Sequence, residues 1–148
     1  MEAPTHEALN AVERELGVLI HRVRRRTVEN ARAIDPELPS AAYPILRFVY
    51  DHDGVRASQV AEHFGIDKGA VSRQVAQMER LGLVERSSDP ADRRAQTLLV
   101  TAEGRRRVAE LRAARRSAFA GKLAAWTADE LADLAEQLHR YNESLGGE

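Results

Sequence analysis

A mainly helical fold with one small β-hairpin is predicted by this 148-residue sequence, and three observations predict it. Apolar residues recur at steps of three and four near both ends of the chain. Between Ala57 and Leu81, two short amphipathic stretches stand either side of Gly65. Directly after them, two short runs rich in Leu and Val bracket a charged turn, Asp89-Pro90-Ala91-Asp92. A 3.6-residue period marks a helix and alternation marks a strand, so the expected order is helical, with one hairpin set after the fourth helix.

The first helix is expected from about Thr5 to Ala33, on the repeat Leu9, Val12, Leu16, Leu19, Ile20 and Val23. Asp35-Pro36-Glu37-Leu38-Pro39 breaks it. Ser40 is positioned to cap a second helix holding Ile45, Leu46, Phe48 and Val49, with Pro44 near its first turn, where a missing amide costs little. Asp51-His52-Asp53-Gly54 reads as a turn. Ala57 to Phe64 is a short helix closed by Gly65, and Asp67 caps the next, which ends near Leu81 and Gly82. Leu83 to Ser87 and Ala95 to Thr101 are the two strands. Ala102 to about Ala125 is a long basic helix. Thr127 and Glu130 form a capping box for the last helix, whose Leu131, Leu134, Leu138, Tyr141 and Leu145 make a narrow apolar seam of the kind that packs on another helix. The tail Gly146-Gly147-Glu148 is expected to fray.

Composition removes several function classes. The chain has no cysteine, which excludes disulfides, thiolate metal sites and thiol redox sensing. No apolar run approaches a membrane span, and the stretch Met1–Leu16 is too acidic for a secretory leader, so a cytoplasmic protein is expected. His6, His21, His52, His63 and His139 are scattered, without metal-ligand spacing. No nucleophile with its base, carboxylate pair or glycine-rich phosphate loop is present, so neither catalysis nor a cofactor is expected. Net charge is −1, but it is unevenly distributed. Residues 20–32 carry a net +4, with Arg22, Arg24, Arg25, Arg26 and Arg32 against Glu29, and residues 103–122 carry a net +5.

The segment Ala57–Thr101 carries the functional signal. Two short helices that cross closely need a small residue at the crossing and a permissive one in the turn, and Ala61 and Gly65 supply them. Val71, Val75, Met78 and Leu81 form the inner stripe of the second of these helices. Lys68, Gly69, Ser72, Arg73, Gln74 and Gln77 are read as facing outward. Such a face is small, polar and almost free of carboxylates, as a helix entering the major groove of DNA requires. Arg73 suits a guanine edge, and Gln74 or Gln77 an adenine edge. The hairpin tip is read as holding Arg86 on one strand and Arg93-Arg94 after the turn, suited to phosphate or to a narrow minor groove. Asp92 is expected to hold that turn rigid by accepting bonds from turn amides or an arginine. The alternative reading of these charges is a solvated surface with local ion pairs.

The run Leu81-Gly82-Leu83-Val84-Glu85-Arg86, then Asp89-Pro90-Ala91-Asp92-Arg93-Arg94, Leu98-Leu99-Val100-Thr101 and Gly104, resembles the wing signature of the MarR family of multiple antibiotic resistance regulators. The helical layout on both sides resembles that family as well. The resemblance implies a winged helix-turn-helix over 35–101, with residues 1–34 and 102–148 as dimerisation helices. It implies a homodimer formed through Leu9, Val12, Leu16, Ile20, Leu131, Leu134, Leu138, Tyr141 and Leu145, bound to a pseudo-palindromic site on double-stranded DNA. By similarity, Arg94 and Arg93 reach the minor groove, and Ser40 and Arg56 contact phosphate. Release by a small aromatic or anionic ligand is a further implication, for which Arg22, Arg25, Arg26 and Tyr43 are the candidate residues. Repression is the family's default. The competing reading is a winged-helix protein-interaction module without specific DNA binding.

Overall fold

The computed structural model describes residues 5–146. Of the expected frayed tail, Gly147 and Glu148 lie outside the described residues, as do the first four residues of the acidic N-terminal stretch. The elements run α1 (His6–Ile34), α2 (Ala42–Asp51), β1 (Val55–Arg56), α3 (Ala57–Phe64), α4 (Lys68–Arg80), β2 (Val84–Ser88), β3 (Gln96–Val100), α5 (Ala102–Lys122) and α6 (Ala128–Leu145). The chain packs as two compact units, 1–111 and 112–148. The helical turns at Asn30–Ile34 and at Gly104–Val108 bury side chains with the winged portion.

Local chemistry accounts for most boundaries. Thr5 caps α1 by accepting from the Ala8 amide at 3.2 Å. Ser40 does not cap α2. That helix begins at Ala42 behind Ala41, with no side-chain cap, and the Ser40 carbonyl accepts from the Tyr43 amide at 3.3 Å. Pro39 and Pro44 flank this start, and the Pro39 carbonyl takes the Ala42 amide at 3.0 Å, so the chain enters α2 through a tight turn. Gly65 and Gly82 adopt left-handed φ values of 62° and 70° at the ends of α3 and α4. Both capping-box bonds of α6 are made: the Thr127 amide donates to Glu130 at 2.7 Å, and the Glu130 amide donates to Thr127 at 3.2 Å.

The sheet has three antiparallel strands in the order β1-β3-β2. The hairpin pairs Val84 with Val100 and Arg86 with Leu98, while Val55 pairs with Leu98 on the other side. Strand β1 was not anticipated. Two residues are too few to show alternation, and they become a strand only by hydrogen bonding to β3.

The core of the first unit is drawn from α2, α3, α4, the sheet and the start of α5: Ile45, Leu46, Val49, Val60, Val71, Val75, Met78, Leu83, Leu98 and Val108 are fully buried. Docking of α2 on α3 is finished by an aromatic stack, with Phe48 between His52 and His63 at 4.3 Å from each and Phe64 edge-on at 5.8 Å. Gly104 lets α5 approach the sheet. A Cβ there would stand 2.3 Å from the Leu83 carbonyl oxygen and 2.9 Å from Val100 Cγ1. Thr101, just before α5, donates its hydroxyl to the Gly82 carbonyl at 2.6 Å and accepts from the Gly104 amide at 3.0 Å.

The basic excess of α5 is largely paired. Arg106 bonds Glu103 and Glu110, both at 2.7 Å, and Arg107 bonds Glu103 at 2.7 Å. Two arginines hold Glu103, and their hydrogen bonds push its carboxyl down to about 2. Arg105 pairs with Asp53 at 3.2 Å and covers the Tyr50 ring at 5.1 Å. Arg107 also reaches the end of α1, donating to the Ile34 carbonyl at 3.1 Å and to Asp35 at 2.9 Å. A cation on terminal helical carbonyls favours that helix end. In the second unit, Trp126 is 44% exposed in the turn before α6. Among the described residues, no helix is long and apolar enough to cross a membrane.

Candidate nucleic-acid interface

The helix-turn-helix is built by burial on one side. Val71, Val75 and Met78 seat α4 against the core, and Ala61 of α3 is buried. The turn is closed by the Ile66 amide on the Ala61 carbonyl at 3.1 Å, and Asp67 caps α4 through the Ala70 amide at 2.8 Å. At 100° per residue, Gly69, Arg73, Ala76 and Arg80 lie opposite the buried stripe, with Lys68 and Ser72 exposed at its edges. Ala76 and Arg80 were absent from the outward set read from the sequence.

Gln74 requires a correction. It is half-buried, and its Oε1 is sealed from solvent without a hydrogen-bond partner. Three residues after Val71 and four before Met78, it stands on the flank of the buried stripe, which the spacing alone would have shown. Gln77 is half-buried as well, and its Oε1 accepts from Arg80 Nη2 at 2.5 Å.

The wing is ordered by carboxylates. Asp92 Oδ1 accepts the Arg94 amide at 3.0 Å, the turn-amide bond expected of it. The arginine partner belongs to Asp89 instead. Asp89 Oδ2 receives Arg56 Nη2 at 2.5 Å and Nε at 3.1 Å, while Oδ1 receives the Ala91 amide at 2.9 Å. The Ala91 amide first, and Arg56 second, hold the Asp89 carboxyl below its ordinary value. Arg56 is therefore a brace between the winged domain's β1 and the wing. Arg86 is mid-strand rather than at the tip, opposite Leu98, and pairs with Glu79 of α4 at 3.2 Å. Among the described residues, Lys68, Arg73, Arg93 and Arg94 carry no carboxylate partner on their side chains.

These pieces converge. Arg56, Ser58, Lys68, Arg86, Arg94 and Gln96 line one open cleft of about 390 Å³ where the N-terminal ends of α3 and α4 face the wing. Four of its side chains are cationic, on three separate elements and the wing turn. Ser40 is exposed ahead of α2 and is not among the residues lining this cleft.

The other expected sites fare differently. Tyr43 is 3% exposed inside the core cluster, so it does not line an open crevice. α2 turns its phenol inward together with Ala42 and Leu46. Arg25 pairs with Glu29 at 3.1 Å on a solvated face, Arg22 is exposed and Arg26 half-exposed on the same helix. The apolar stripes stand uncovered in the single chain. Leu9, Val12 and Ile20 on α1 are each about half-exposed, as are Leu134, Leu138 and Tyr141 on α6, while Leu145 reaches 65%; Leu16 and Leu131 are intermediate.

Residues 37–95, the span from the entry of α2 to the wing turn, match the model of the MarR family. That span is less than half of the chain, and over it the chain is similar to the MarR family. Among similar proteins, the transcriptional regulator HosA of Escherichia coli O111:H- is 35% identical over 69 residues, covering 47% of this chain and 51% of HosA. The chain thus spans about half the length of that relative. YxaD of Bacillus subtilis, an HTH-type transcriptional regulator, is 29% identical over 108 residues, 73% of this chain and 76% of YxaD. The MarR fold extends further than the family match. A MarR-family regulator from Listeria monocytogenes, solved with a 26mer DNA, superposes with a TM-score of 0.71 at 16% identity, over 98% of this chain and 90% of that one.

Proposed function

We propose that this chain is a MarR-family transcriptional regulator that binds double-stranded DNA as a homodimer, with α4 in the major groove and the wing in the adjacent minor groove. The observation that carries the reading is the convergence of Arg56, Lys68, Arg86 and Arg94 on one cleft beside the carboxylate-free outer strip of α4. Two of these cations, Lys68 and Arg94, have no carboxylate partner among the described residues and suit a phosphate backbone, and the strip leaves room for base edges. The Listeria neighbour with DNA supports the same assignment. The uncovered apolar stripes, one along α1 and one along α6, support a second copy as partner, since such stripes are usually covered. Two-fold symmetry then calls for a pseudo-palindrome with half-sites roughly 34–36 Å apart. Repression by covering promoter DNA, and work in the cytoplasm, belong to the same reading.

Release by a small aromatic or anionic ligand is the finer part of the proposal. With Tyr43 in the core and Arg25 paired, Arg22 and Arg26 are the remaining cations of the candidate set.

The test is to incubate the purified chain with fragmented genomic DNA from its source, recover what is retained at moderate salt, and sequence it. Enrichment of one palindrome is expected. No retention would overturn the DNA reading and leave the winged interaction module. Uniform retention would reduce the protein to an unspecific DNA binder.

A further inference from the structure

The outer strip of α4 has a chemical bias beyond its charge. Each base pair shows the major groove a distinct set of donors, acceptors and methyl groups: guanine offers two acceptors, thymine an acceptor and a methyl, while adenine and cytosine offer an amino donor. Reading an amino group requires a protein acceptor. Gly69, Arg73, Ala76 and Arg80 carry none on their side chains. The two amides that would have supplied one stand off the strip: Gln74 Oε1 is buried, and half-buried Gln77 has one lone pair of its Oε1 taken by Arg80. The Asp67 carboxylate is the cap of the helix, with one oxygen on the Ala70 amide, and Ser72 stands at the edge of the strip.

On the strip itself, what remains is the donors of Arg73 and Arg80 and the methyl group of Ala76. The guanidinium of Arg73 folds back over the first turn of α4, its Nη1 3.5 Å from the point where a Gly69 Cβ would stand. That direction is the ordinary one for a helical side chain, and the missing Cβ keeps the approach open. Ala76 is exposed three residues on, flat against the groove side of the helix.

We infer that α4 recognises its half-site through keto bases, with Arg73 bidentate on a guanine and the Ala76 methyl packed on the 5-methyl of a thymine, and that neither Gln74 nor Gln77 reads adenine. Gln77 acts as a positioning residue for Arg80. The inference rests on the DNA-binding reading above and fixes which bases that site contains.

The test uses the full-length protein and a duplex selected by it from a random library. In one half-site, each thymine is replaced by deoxyuridine and each guanine by 7-deazaguanine, and affinity is measured by fluorescence anisotropy. One thymine should lose about fourfold on removal of its methyl, the worth of one buried methyl-sized group, and that loss should vanish in Ala76→Gly. One guanine should lose roughly tenfold, with no further loss in Arg73→Ala. Gln74→Ala should select the same sequence. The DNA-side substitutions need no variant, so a poorly folding Ala76→Gly does not block the result. A selected site insensitive to every uracil, or a changed base preference in Gln74→Ala, overturns the inference while leaving the regulator reading intact. Failure to select any sequence overturns both.

Discussion

Asp89 at the wing turn and Arg56 in β1, 33 residues apart, are joined by two hydrogen bonds onto one carboxylate oxygen, at 2.5 and 3.1 Å. The other oxygen holds the Ala91 amide. One side chain thus ties the turn to itself and the hairpin to the third strand. Asp89→Asn should loosen residues 89–95 without unfolding the domain, seen as faster amide hydrogen exchange confined to the wing. Unchanged protection there would remove the brace from the account. Because the folded-state carboxyl is held below its ordinary value, the bracing is present at neutral pH and is lost as pH falls through that depressed value.

Arg94 stands in the cleft with Lys68, its side chain without a carboxylate partner. Arg94→Ala should weaken operator binding and lower the slope of log affinity against log salt by about one phosphate's worth, with thermal stability unchanged. Equal affinity and slope in the variant would take the wing out of the interface.

The α6 seam is exposed in the single chain. Leu134→Asp combined with Leu138→Asp should convert dimers to monomers in sedimentation velocity. A dimer surviving both charges would show that α6 is not the contact.

Gly104 tolerates no side chain: its Cβ would meet the Leu83 carbonyl oxygen at 2.3 Å, and backbone there cannot swing aside as a flexible side chain does. Gly104→Ala should destabilise by about 1–3 kcal/mol, read as a lower urea midpoint with an unchanged m-value.

Glu103 is held near 2 by Arg106 and Arg107. Its contribution is therefore complete above the ordinary carboxylate value and fades as pH falls from there toward about 2. Glu103→Gln should flatten that acid limb of the stability profile. A profile identical to the parent's would assign the acid response elsewhere.

The fold was legible wherever its cause is local. Thr127 with Glu130, Asp67, Gly65 and Gly82 each act within four residues, and each boundary they predict lies within a residue or two of the observed one. Ser40 failed because the neighbouring prolines, not a hydroxyl, shape the start of α2. Strand β1 and the Arg56–Asp89 and Arg86–Glu79 pairs depend on which distant segments meet, and periodicity carries no such information. The candidate site was legible in the sequence as a carboxylate-poor helix followed by a basic hairpin. Which residues share the outer strip of α4 was not: Gln74 was taken by its chemistry rather than its angle on the helix, and Ala76 was passed over because a methyl group announces nothing in a sequence.

The chain has one tryptophan, and it sits at Trp126 in the second unit. Indole emission therefore originates in the second unit, while buried Tyr43 and half-buried Tyr50 lie in the winged half and the third tyrosine, Tyr141, lies on α6. In a Tyr141→Phe background, followed together through a melt, the indole and tyrosine signals time the halves separately. Superimposable curves would describe one cooperative molecule, and staggered curves two that happen to share a helix.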